Sequence, residues 1–143
     1  MATGDFLVFE EARAFMIDGG WESADDIKCA ILDNGTTPIA AFATPTLSDF
    51  TEVGTAGTYV AGGISLGDLG TLVTEAGGVM KFDSATNPTW AQNGSNDVDA
   101  WWGLVYHVTT GQAIGFVELG GPVDMSAGSL TITWNASGLF TIT

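Results

Sequence analysis

The sequence predicts a mainly β protein: a β-sandwich, jelly-roll-like or related, with one short N-terminal α-helix. Three observations point there. Apolar residues make up 45% of the chain and charged residues only 14%, well under the roughly 25% charged content of an ordinary globular protein. Glycine occurs 20 times in 143 residues, about twice its usual ~7%. Finally, short alternating apolar runs are separated by turn pairs at close intervals, which is the pattern of a sandwich or barrel. The length fits a single domain, residues 1–143, large enough to bury a core without metals or disulfides.

Residues 5–17 are read as the one helix. Val8, Ala12 and Phe15 share a stripe, with Phe9 and Met16 beside it. Asp5 is placed to cap the start, and Gly19 with Gly20 to stop it. Glu10 and Arg13 stand three apart on the polar side. The first half, rich in Phe and Val, is also compatible with a strand. After Gly20 the pattern changes. The run 27–33 is a short apolar strand closed by Asn34-Gly35. Residues 46–50 suit a single helical turn capped by Thr46. Ile64 and Leu66 alternate with Ser65, and 79–82 form a brief strand. Both faces of 100–108 are apolar, so that strand is expected to be buried on both sides. Thr110-Gly111 turns it into a hairpin with 113–119, which Gly120-Gly121-Pro122 should break. Leu130, Ile132 and Trp134 alternate with threonines. The turn 135–138 should bring 139–143 back beside them.

Charge excludes whole classes of function. There are 17 acidic residues against three basic ones, for a formal charge of −14. Such a surface repels phosphate backbones and anionic headgroups, so neither nucleic acid nor membrane is an expected partner. No apolar stretch reaches the ~18 residues of a membrane span, and the opening residues lack the basic start of a secretory signal. Assembly in the cytoplasm is the expectation.

No constellation of catalytic residues is apparent, and no enzyme, cofactor or metal is expected. His107 is the only histidine. It lies mid-strand, beside a turn, with no second histidine to share a metal, and is read as structural. Cys29 is the only cysteine and sits in an apolar run, as a buried, inert thiol would. A Cys29–His107 nucleophile pair lacks any local activator. Residues 93–99 are oxygen-rich but do not follow the EF-hand spacing, so a solvated loop or interface rim is preferred to calcium. Gly62-Gly63, Gly77-Gly78 and Gly120-Gly121 lack a phosphate-loop ending and are read as turns or bulges. Asn135-Ala136-Ser137 matches a glycosylation sequon but reads as a hairpin turn. Tryptophans 101 and 102, adjacent on a strand, must point to opposite faces. Trp21, Tyr59 and Trp101 are the candidate partner contacts, since aromatics anchor protein interfaces. Exposed tryptophans also serve carbohydrate-binding modules, which is a rival reading.

The order of motifs resembles a family of tailed-phage virion proteins. Asp18-Gly19-Gly20-Trp21, followed by Asp25 and the run 26–33, is similar to the family's opening. Tyr59-Val60-Ala61-Gly62-Gly63-Ile64-Ser65-Leu66 resembles its central "G-Y-x-x-G-G-x-x-L". Phe82-Asp83 with Pro88-Thr89-Trp90, the strand around Gly103-Leu104-Val105-Tyr106, and the glycine- and Trp-bearing ending after Phe116 follow in the same order. The likeness runs from about residue 13 to the end, with a shorter loop after Asp33. It implies a structural protein of the virion. First choice is a capsid decoration or cement protein on the outer surface of the major capsid protein lattice. A head- or tail-fibre or tail-adaptor protein comes second. It also implies a symmetric homo-oligomer, and brings no catalytic residues.

Overall fold

The computed structural model describes residues 4–143. The first three residues, part of the stretch read as lacking a basic leader, lie outside the described residues. The strands are β1 (Phe6–Val8), β2 (Asp26–Leu32), β3 (Ile64–Asp68), β4 (Val73–Ala76), β5 (Val79–Phe82), β6 (Thr89–Trp90), β7 (Ala100–His107), β8 (Ala113–Val123), β9 (Leu130–Thr131) and β10 (Phe140–Ile142). Two short helices, α1 (Ala12–Asp18) and α2 (Leu69–Leu72), interrupt them. Strand outweighs helix by 37% to 10%, so the fold is mainly β as predicted.

The frame is a five-stranded antiparallel sheet in the order β1-β8-β7-β2-β3. Every residue of β7 except Trp101 is buried, because both faces of the sheet are covered. On one face Phe9, Leu32, Trp102, Leu104 and Phe116 pack with Ala12 of α1 and Phe50. On the other, Ile27, Ile31, Val105, Ile114 and Val117 meet Phe82, Trp90 and Leu130. Those last three come from the three-stranded sheet β10-β5-β4 and the two-stranded sheet β6-β9, which together form the second layer of a sandwich. Each such side chain contributes roughly 1.5–3 kcal/mol by leaving water.

A polar lock fastens the long loop between β2 and β3 to the sheet. The Tyr59 hydroxyl donates to Glu52 Oε2 at 2.5 Å and accepts the Ile31 N–H at 3.1 Å. The same Glu52 oxygen accepts the Gly62 N–H at 2.7 Å, and Tyr106 Oη donates to the Gly62 carbonyl at 2.7 Å. Gly63, at φ +75°, lies so close to β2 that a Cβ would overlap the Cys29 carbonyl oxygen.

Several sequence-based boundaries are corrected. The helix expected over 5–17 is split: residues 6–8 pair with Val117, Phe116 and Gly115 of β8, and helix begins only at Ala12. Gly115 permits this, since a Cβ there would meet the Phe6 ring. Asp5 therefore caps nothing, and the helix starts after Glu11 with no side-chain cap. Among the described residues Arg13 forms no ion pair with Glu10. Gly19 does end the helix, its N–H bonding Phe15 O at 2.7 Å. The turn at 46–50 is present as a 3-10 helix, Leu47–Asp49, with a Thr46 capping box. Gly120-Gly121-Pro122 does not break β8; the strand runs through them to Val123, across an irregularity in its pairing with β7. The expected terminal hairpin does not form. β9 pairs with β6 and β10 with β5, because Trp134 Nε1 bonds Thr86 O at 2.8 Å and Phe140 stacks on Phe82 at 5.0 Å. β4 and α2 had no counterpart in the sequence reading, although the Gly77-Gly78 turn that closes the β4–β5 hairpin did.

Candidate functional site

Three places hold the candidate groups that the sequence offers, and aromatic rings gather at a fourth. At the end of β7, His107 is completely buried. Its Nε2–H donates to Asp25 Oδ2 at 2.8 Å. Its Nδ1 accepts the Thr110 N–H at 3.3 Å and lies 2.9 Å from the Thr110 hydroxyl. These partners assign the proton to Nε2. Trp21 covers the ring, stacked at 4.7 Å and nearly parallel, and is held there by its own Nε1–H bond to Gln112 Oε1 at 2.6 Å. The Asp25 carboxyl is held below the usual carboxylate range, first by the Glu22 N–H and then by His107. Both imidazole nitrogens are thus engaged, and the group ties the hairpin after β7 to the start of β2.

Cys29 is fully buried in the core, and desolvation pushes its thiol far above the ordinary range. A thiol kept neutral is a poor nucleophile. The oxygen-rich 93–99 loop commits its groups internally. Asn96 Oδ1 accepts the Thr58 N–H at 2.7 Å, and its Nδ2 donates to Ala91 O at 2.9 Å and Met125 O at 3.1 Å. Asp97 accepts the Gly54 and Asp99 N–H groups, and Asp99 accepts Trp101 Nε1–H at 2.7 Å. Among the described residues no three His, Cys, Asp or Glu side chains gather to hold a metal.

The three predicted contact residues end in different places. Tyr59 is only 2% exposed and belongs to the core, so it is no surface contact. Its hydroxyl finds Glu52 across a loop and Ile31 on β2, partners that no local alternation reveals. Trp21 and Trp101 are both half-buried, the first over His107 and the second against Asp99. Trp102 is buried in an apolar cluster against which Trp101 also packs, beside the register shift between Ala100 and Trp102.

The fourth place was missed. A cleft of about 750 Å³ opens between β1 and the segment 130–141. Three half-buried rings line it: Phe6 meets Trp134 edge-on at 6.1 Å and stacks with Phe140 at 6.2 Å. Asp5 and Glu118 stand at the same cleft. The signal for it lay in Phe6, which the helical reading placed on no face, and in the alternation of 130–134. No protein-family model, curated protein or solved structure matches the chain.

Proposed function

We propose that the chain is a structural protein of a tailed-phage particle, a cement protein that binds the outer surface of the capsid lattice and stabilises the head. The observation that carries this is the ordered motif series together with what its residues do in the fold. Ile27, Ile31, Tyr59, Leu66, Phe82, Trp90 and Val105 are core residues of one cluster, and Gly62 and Gly63 are the glycines of the polar lock. A likeness concentrated in frame-building residues supports a shared scaffold. It leaves function to surfaces, as adhesion to a lattice requires.

Two further features agree. The lone cysteine and the lone histidine, Cys29 and His107, are both fully buried. Every carboxylate is at least partly exposed, so the charge of −14 faces outward and disfavours a DNA-facing position. Binding only the assembled lattice would stabilise the shell by mass action. A symmetric oligomer, as the resemblance implies, would match such a lattice.

The test is a copy count by quantitative mass spectrometry of purified particles, paired with heat-release of DNA from particles lacking the chain. Many copies per particle, and a release temperature restored by adding the purified chain, are expected. A few copies at one vertex would indicate a fibre or tail adaptor instead. Absence from particles would remove the proposal.

A further inference from the structure

We propose that the cleft beside β1 is a slot for one extended strand donated by a different protein, and that this strand carries basic residues. The argument begins with backbone parity. In an antiparallel pair, successive residues point their N–H and C=O groups alternately toward and away from the partner. The Phe9 N–H bonds Ile114 O of β8 at 3.0 Å. In the register Leu7↔Phe116, Leu7 therefore also faces β8, while Phe6 and Val8 face away. Glu10 has the same parity as Phe6 and Val8, and its N–H indeed points away from β8, to Ala40 O at 2.9 Å. Outside the sheet ladders neither Phe6 nor Val8 has a backbone partner among the described residues, and of the two it is Phe6 that borders the cleft.

The opposite wall repeats the pattern. Ile132 N–H bonds Pro88 O at 3.0 Å and Trp134 N–H bonds Asn87 Oδ1 at 3.1 Å, continuing the β6–β9 pairing. Thr131 and Thr133 consequently direct their backbone groups away from β6, and among the described residues neither N–H has an acceptor. One cleft is thus bordered by two extended segments, each with an unused polar edge. An unpaired edge is a template for strand addition. The half-buried rings of Phe6, Trp134 and Phe140 offer apolar contact for alternate side chains of an incoming strand.

Charge selects the occupant. Asp5 and Glu118 border the cleft on a molecule of net charge −14. A second copy would bring the same charge. Its three cations are poorly placed to compensate: Arg13 is on α1, Lys28 is within β2, and Lys81 is paired with Asp83 at 2.7 Å. A basic, apolar-alternating segment of another protein satisfies both the edges and the carboxylates. This inference does not depend on the virion reading, since it specifies the strand and not the protein that supplies it.

The probe is the blocked peptide Lys-Val-Lys-Val-Thr-Val-Lys, titrated into the isotope-labelled full chain at low salt and followed by amide chemical shifts. Shifts are expected to concentrate at residues 5–8 and 130–134. Methylating alternate peptide nitrogens should weaken binding by roughly tenfold or more, as two lost backbone hydrogen bonds require. Replacing the lysines by glutamates should weaken it further, and Asp5→Lys with Glu118→Lys in the protein should reverse that preference. Thr133→Pro removes one N–H from the wall and should also reduce binding; if it unfolds the chain, the methylated peptide decides alone. Equal binding of the methylated peptide, shifts clustered elsewhere, or no binding at millimolar peptide would overturn the proposal. So would a dilution series in which the 5–8 and 130–134 signals report self-association, since the slot would then belong to a second copy.

Discussion

Asp25 is the side chain through which acid reaches the buried end of β7. Its folded carboxyl titrates below the ordinary range, held first by the Glu22 N–H and then by His107. In the unfolded chain it returns to ~3.9. A carboxyl with a depressed folded value stabilises the fold above its unfolded value, and that contribution is lost as pH falls through the folded one. Asp25→Asn should therefore lower the urea midpoint at pH 7, and the difference from the parent should shrink toward pH 3; equal gaps at both pH values would show that the charge is irrelevant. Tyr59 makes a second residue-scale case. Tyr59→Phe keeps the ring but strips the partner from the buried Ile31 N–H and from Glu52. A cost of about 1–3 kcal/mol is expected in chemical denaturation. The sequence shows Tyr59 as an aromatic three residues before a glycine pair; it does not show that the hydroxyl ends between Glu52 and Ile31, so the residue reads from sequence as a surface aromatic. His107 was easier, because a lone histidine in an apolar strand has few other fates.

At the scale of elements, the loops are fastened by side chains more than by ladders. Asn96 is the clearest fastener, joining Thr58, Ala91 and Met125 from three separate segments. Asn96→Ala should leave those backbone groups unsatisfied, lowering stability by about 2–4 kcal/mol and speeding amide exchange at Thr58 before the central strands. Uniform exchange across the molecule would mean that the loops and the sheet open together. The strands that were legible share one property: β2, β7 and the start of β8 announce themselves through local alternation and adjacent turns. What stayed hidden was pairing across long separations. β1 is three residues paired with a strand more than a hundred positions away, too short to show a period of its own, and the helical stripe that follows it absorbed its Phe and Val. β9 and β10 were individually visible, but their partners were fixed by Trp134 with Thr86 and by Phe140 with Phe82, contacts that no local pattern reveals. The cleft carries local signals in each wall but no sign that they meet, since its two walls come together only through those long-range choices.

Across the whole molecule, 17 carboxylates face three cations, and among the described residues only Lys81 and His107 stand within ion-pair distance of one. Self-repulsion of that surplus opposes the compact state. Raising salt from ~0.01 M to ~0.1 M shortens the screening length from ~30 Å to ~10 Å. The melting temperature should therefore rise by about 2–6 °C, the shift that ~1 kcal/mol produces in a domain of this size. Repulsion also keeps unpaired strand edges of separate copies apart. Lowering the pH toward the sequence pI of about 4.1 removes it while most of the apolar frame still holds. Association is then expected in light scattering before the tryptophan fluorescence reports unfolding, and added salt at neutral pH should promote it far less, because the carboxylates stay ionised. If scattering instead appears only after the fluorescence change, association follows exposure of the core, and charge is not what keeps the folded copies apart.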